Sequence, residues 1–222
     1  MKYKLNILGV IKFILIISLS HNLFAKEFKL ISLDEFSDIE KLKFQDKSGP
    51  QTLIIRKYYP NVAYPIPENK LIHFYGVKQY SEAHSKKPML RLSFEELDNE
   101  VIVFIKKNDD DNELIEYEYY NNSPDAFPDI STLFLNLSDD KVVASLGDKI
   151  VKLNPNSRSQ ISMTMNERGS FSSKVIFATQ KKDKSINYFH TSFWRIPKGH
   201  KSLCIIDYDA EQNSHLLKHI LL

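Results

Sequence analysis

From Lys26 to Leu222 the chain breaks into short apolar or alternating runs, separated by turn-forming residues at roughly ten-residue spacing. That rhythm is the pattern of β-sandwiches and barrels, and long helical periodicity is nearly absent. In the first half the runs predict strands at about 27–31, 52–58, 70–75, 89–94, 100–106 and 114–120. In the second half they predict 131–137, 141–146, 149–153, a strand carrying Ile161, Met163 and Met165, then 171–179, 186–196, 202–206 and 216–221. Gly147-Asp148 is a two-residue hairpin signal, because glycine supplies the positive φ that such turns require. In 186–196 bulky side chains alternate on both faces, which predicts a central strand. One segment is ambiguous: Ser32-Leu33-Asp34-Glu35 matches a capping box, so a short helix over about 33–41 competes with a strand.

The first 25 residues differ in kind. Lys2, Lys4 and Lys12 are their only charges, and an apolar run from Phe13 ends near Phe24-Ala25. This is the layout of a secretory signal peptide, and the run falls short of the roughly 20 apolar residues that a membrane-spanning helix needs. The leader holds three of the 30 Lys and Arg and none of the 28 Asp and Glu, which leaves 27 against 28 in the remainder. A nearly neutral chain lacks the basic surplus with which nucleic-acid binders neutralise phosphates. With 42% hydrophobic and 26% charged residues the protein is neither disordered nor polytopic.

Cys204 is the only cysteine, so no internal disulfide is available, and none stands behind Ala25 to carry a lipid. Flanked by Leu203, Ile205 and Ile206, it reads as a small buried hydrophobe rather than a nucleophile. The segment 121–128 carries two prolines within a polar cluster and cannot continue a ladder. It divides the chain into two parts, 26–123 and 124–222, each the size of an immunoglobulin-like sandwich. The expected fold is therefore all-β, with two tandem immunoglobulin-like antiparallel sandwich modules after a signal peptide. A single larger sandwich is the alternative, and no internal sequence repeat links the halves.

The second half resembles a set of uncharacterised exported bacterial proteins in which two small sandwich modules follow a signal peptide. The likeness lies in Phe127-Pro128, the run Leu133 to Ser138, the Leu146-Gly147-Asp148 turn, Phe193-Trp194-Arg195 and the strand 203–207. These are folding motifs. They imply a fold and a compartment and bring no catalytic residue or ligand.

Candidate chemistry is sparse. His215 and His219 share a helical face at zinc-ligand spacing, but on a strand they lie about 13 Å apart, too far to share a metal. The run Asn108 to Glu113 offers oxygens to calcium, yet Leu114 stands where a calcium loop needs glycine, and a solvated hairpin tip is favoured. There is no nucleophile elbow, phosphate loop or dinucleotide glycine cluster. No cofactor, metal site or catalytic residue is assigned. In a eukaryote, Asn136-Leu-Ser138 would be a glycosylation acceptor.

The one asymmetry is tyrosine, since eight of the ten tyrosines beyond the leader fall in 26–123. Tyrosine presents a rigid apolar face with a polar tip, which suits recognition, although strands also use it simply to pack. Arg56, Tyr58, Tyr59, Tyr64, Tyr75 and Tyr80 are the candidate contact residues, and prolines at 60, 65 and 67 stiffen that segment. The sequence thus predicts an exported, non-enzymatic binding protein of the periplasm or cell exterior. Its partner would be an envelope protein or surface polymer, with no nucleic acid and no membrane span after leader removal. The alternative is an enzyme or carbohydrate-active accessory domain with a dispersed site.

Overall fold

The computed structural model describes residues 26–35, 41–46, 48–80, 87–95, 97, 100–107, 115–180 and 185–222. Residues 1–25, the acidic run within 108–114 and His84 lie outside them. Within them the protein is an all-β fold of four four-stranded sheets. The first half supplies β1 (Glu27–Ser32), β2 (Lys41–Asp46), β3 (Gly49–Ile54), β4 (Tyr64–Pro65), β5 (Leu71–Gly76), a helical turn α1 (Val77–Tyr80), β6 (Leu90–Ser93), β7 (Val101–Lys107) and β8 (Ile115–Asn121). The second supplies β9 (Ser131–Asn136), β10 (Lys141–Leu146), β11 (Lys149–Leu153), β12 (Ser157–Ser162), β13 (Phe171–Gln180), β14 (Ile186–Ile196), β15 (Ser202–Asp209) and β16 (Ser214–Leu221).

The two halves repeat one topology. The first forms sheets of order β4-β1-β7-β8 and β3-β2-β5-β6, and adding eight to each number gives the second pair, β12-β9-β15-β16 and β11-β10-β13-β14. Among the described strands every ladder is antiparallel except one at the same place in each module, β1 with β7 and β9 with β15. Backbone hydrogen bonds repeat as well: Leu33 N donates to Ile105 O and Leu137 N to Ile206 O, both at 2.8 Å.

Three apolar cores result. Phe28, Leu30, Val103, Ile105, Phe44 and Phe74 fill the first sandwich. Phe134, Cys204, Ile206, Phe177 and Trp194 fill the second. Between the modules lies a third, with Ile31, Ile102 and Phe104 from β1 and β7 facing Leu133, Leu135, Leu203 and Ile205 from β9 and β15. Strand alternation assigns these sets. The continuous apolar runs Val101–Ile105 and Leu203–Ile206 bury one face in a sandwich and the other in the seam, which is why they carry no polar residue.

Several sequence expectations need correction. The 186–196 strand is not central: β14 is the edge of its sheet. A bulge between Phe177 and Ala178 on the partner leaves Phe189 as the extra residue on β14. The bulge turns Phe189 inward against the core and leaves Tyr188 and Phe193 exposed. The strand expected over 52–58 ends at Ile54, because Tyr58 sits at φ 59°, outside strand geometry. The strand expected to carry Ile161, Met163 and Met165 lies at Ser157–Ser162, so it holds Ile161 and stops before both methionines; it pairs with β9, and its link to β13 crosses between sheets. Residues 33–34 form a bend and β2 begins at Lys41, while 36–40, where most of the capping-box helix would fall, lie outside the described residues. The Gly147-Asp148 turn is as expected, joining β10 to β11 with Gly147 at φ 66°.

The seam makes a mechanical prediction. Leu203→Ala opens a cavity in an interface shared by both modules and should cost about 2–5 kcal/mol. Leu203→Asp, which puts an unpaired charge into the seam, should split a single calorimetric unfolding transition into two. One undivided transition in Leu203→Asp, or a negligible change in Leu203→Ala, would show that the modules are not coupled through this core.

Candidate functional site

The seam does not close along its whole length. Beside the edge strands β8 and β12 it opens into a cleft of about 520 Å³. Its floor is Leu33, Phe104, Leu135 and Leu137, and its rim is Asp34, Lys106, Glu118, Arg158 and Asp207. The position follows from the strand pattern. Lys106 and Asp207 are the first polar residues after the two-faced apolar runs of β7 and β15, so each sits where its run leaves the seam.

Each rim carboxylate is already engaged. Asp34 Oδ2 accepts the Lys107 backbone N–H at 2.7 Å. Glu118 pairs across the seam with Arg158, and on the same side Tyr120 Oη donates to Gln160. Asp207 accepts from Tyr58 Oη and, at 3.2 Å, from Lys57 Nζ, whose ammonium also stands 4.8 Å from the Tyr58 ring centre. Burial first, and the Asp207 hydrogen bond second, push the Tyr58 phenol well above its ordinary value. That phenol therefore stays a hydrogen-bond donor at any physiological pH.

The six sequence candidates divide. Arg56, Tyr58 and Tyr59 lie on the Asp207 flank of the seam. Tyr58 is buried within it, Arg56 is exposed, and the exposed Tyr59 ring lies 3.8 Å from Lys218 Nζ. Lys218 also donates to Tyr59 Oη at 2.5 Å, and that bond, then the lysine charge, lowers the Tyr59 phenol, with Arg56 adding in the same direction. Tyr64 packs into the first core against Phe28 and Phe44, ring centres 5.8 and 5.4 Å away, and burial raises its phenol. Tyr75 and Tyr80 meet at 6.3 Å on the outer sheet of the first module, where Tyr80 Oη donates to Gln45 Oε1 at 2.9 Å. The six thus form no single patch. Sequence reasoning read Asp34 only as part of a capping box and missed Glu118, Arg158 and Asp207, which belong to no local motif and find their partners across the seam.

Asn136 is fully buried, and its amide donates at 2.8 Å to both Asp140 O and Asn154 O. A glycan cannot be attached there in the folded protein, which corrects the acceptor reading. His215 and His219 lie on strand β16 with separate partners. His215 packs against Phe189 and Tyr208, and its Nε2 stands 3.2 Å from Asp140 Oδ2 without hydrogen-bond alignment. His219 stacks on Trp194 at 3.8 Å and 3°, its Nε2 buried without a hydrogen-bond partner. Among the described residues no group of three His, Cys, Asp or Glu is placed to hold a metal. Cys204 is fully buried in the second core, and burial pushes its thiol up.

No family model matches the sequence, and no curated protein matches it.

Two expectations follow from these environments. Tyr58→Phe removes a buried donor from Asp207 and should cost about 1–3 kcal/mol in chemical denaturation, with loss of stability no larger in Tyr59→Phe. Burial holds His219 down to about 4, against 6.5 when the chain is unfolded. Its contribution is complete above pH 6.5 and is lost as pH falls toward 4, because the unfolded chain takes up the proton first. The loss is on the order of 3 kcal/mol, and His190, also lowered by burial, adds in the same direction. His219→Phe keeps the stack and should flatten stability between pH 6.5 and 4; an unchanged pH profile would remove His219 as its source.

Proposed function

We propose that the protein is exported and works by binding rather than by turnover, recognising an envelope protein or surface polymer in the periplasm or outside the cell. The recognition site of this reading is the seam cleft, with the Arg56–Tyr59 shoulder on the far side of Asp207. What supports it is one observation: the cleft is concave, apolar-floored and lies between modules, while its carboxylates are spent on one another's cations and on backbone. Such a site offers shape, apolar area and oriented polar groups, the usual make-up of a binding pocket. A general acid or base needs a group free to exchange a proton with substrate, and Asp34, Glu118 and Asp207 are each held in a structural contact.

The leader and the sandwich architecture support the compartment, since single-cysteine β-modules carry no redox constraint on export. Among the described residues no helix is long and apolar enough to cross a membrane. The second reading, a hydrolase with dispersed residues, draws on the same three carboxylates reaching one cleft.

The test uses the full chain as bait against native envelope extracts, beside a bait carrying Arg158→Ala and Tyr59→Ala, both exposed positions. Recovery of a specific partner should fall at least tenfold in the altered bait, with its melting temperature nearly unchanged. Equal recovery by both baits would move recognition away from the seam. Turnover of chromogenic ester or glycoside substrates, abolished by Asp207→Asn, would replace binding by catalysis.

A further inference from the structure

A second surface lies on the opposite side of the second module. Val142, Ala144, Val151, Val175, Phe177 and Trp194 face the core, so alternation turns the intervening residues of β10, β11, β13 and β14 outward. The charged side chains on that outer face are Lys141, Lys152, Lys174 and Arg195, and no strand residue there is acidic. Set among them are large apolar side chains with nothing over them: Ile150 is 70% exposed, Tyr188 69% and Phe193 68%. Register places Lys174 directly beside Phe193, and Ser172 beside Arg195.

At one end this face dips into a concavity of about 470 Å³ against the 166–170 turn. Arg168, Arg195 and Phe193 form its walls, with Ser170, Ser172 and one carboxylate, Glu167, beside them. The turn is held rigidly, since Asn166 Oδ1 accepts the backbone N–H of both Arg168 and Ser170, at 3.0 and 3.1 Å. Neither guanidinium makes an ion pair among the described residues.

We propose that this outer face binds an acidic polysaccharide, with Arg168 and Arg195 gripping a ring carboxylate and Phe193 stacking on the sugar face. The inference accepts the reading of an exported binding protein but uses a surface separate from the seam cleft. Two guanidiniums provide forked donors matched to carboxylate geometry. An exposed aromatic ring offers a flat apolar platform, and the neighbouring serine hydroxyls suit a hydroxyl-rich partner. Tyr188, about 15 Å along the strand from Phe193, gives a chain of linked rings a second platform. The charge complementarity decides the class of partner: the chain as a whole is nearly neutral beyond its leader, so this unbalanced cationic face is local. A bilayer is the poorer fit, because the apolar side chains lie within a sheet face among lysines and not at a tip able to insert about 5–10 Å.

The test compares the full chain's affinity for polygalacturonate with that for its methyl ester, which keeps the rings and removes the charge. Binding to polygalacturonate should be at least tenfold tighter than to the ester and should weaken with rising salt. Arg168→Ala with Arg195→Ala should lose at least tenfold, and Phe193→Ala at least threefold, with far-ultraviolet circular dichroism unchanged. The Arg158→Ala, Tyr59→Ala chain should bind as tightly as the native one, which separates this surface from the seam cleft. The proposal is overturned by equal affinity for acid and ester, or by undiminished binding in the double arginine variant. Tighter binding to phosphatidylglycerol vesicles or to a single-stranded oligothymidine would also overturn it, as would no binding to polygalacturonate at all.

Discussion

Everything else in this molecule depends on four strands that have no solvent face. β1, β7, β9 and β15 each bury one side in their own sandwich and the other in the seam between modules. A sheet face of Ile, Leu and Phe left in water would be a large exposed apolar patch, which monomeric proteins avoid. Burying it here joins two sandwiches into four stacked sheets and removes from each module the option of moving freely. The seam therefore sets both the shape and the stiffness on which any binding surface at the junction relies.

Polar contacts around the seam then fix how the modules meet. Glu118 with Arg158 and Tyr120 with Gln160 tie β8 to β12, while Tyr58 and Lys57 with Asp207, and Tyr59 with Lys218, tie the β3–β4 loop to β15 and β16. At the far end Lys201 Nζ donates to Asn122 O at 2.5 Å. Exposed pairs such as Glu118 with Arg158 add little stability, because solvent and salt screen them. Their larger effect is geometric: an apolar seam permits sliding, and directional contacts at its margins choose one alignment. The cleft persists where the floor is apolar and the rim residues hold one another instead of collapsing inward.

Local chemistry made much of the fold legible from sequence. The Gly147-Asp148 turn and the strands flanking it follow from glycine geometry and alternation alone. The runs Val101–Ile105 and Leu203–Ile206 were visible as apolar, and their continuity is the signature of burial on two faces, the one clue to the seam. The same logic failed for 186–196, because the bulge at Phe189 shifts the alternation midway and makes an edge strand imitate a buried one. β2 was missed because Lys41, Lys43 and Gln45 face outward and leave only Leu42 and Phe44 as signal. The site was less legible still. Arg158 and Glu118 are 40 residues apart and meet only through the packing of two sheets, and the tyrosine cluster, contiguous in sequence, is scattered by strand alternation to three places.

The repeated topology sharpens what differs between the modules. Their outer sheets occupy equivalent places, yet they treat aromatic side chains in opposite ways. On the first, Tyr80 is spent on Gln45, on Tyr75 and on Lys43, whose ammonium lies 5.5 Å from its ring centre. On the second, Tyr188 and Phe193 are exposed on a face that carries Lys141, Lys152, Lys174 and Arg195. An apolar ring costs free energy wherever water covers it, and the first module's rings, on β5 and the turn α1 and not on β6, the strand equivalent to β14, have partners that limit it. Edge strand β14 sharpens the contrast, since from Ile186 to Trp194 it carries no Lys, Arg, Asp, Glu or Pro, the residues that ordinarily guard such an edge. Two independent departures from ordinary surface design thus fall on the same strand of the same sheet. Stability alone would have selected against both, and that is the physical argument behind the recognition proposed for this face.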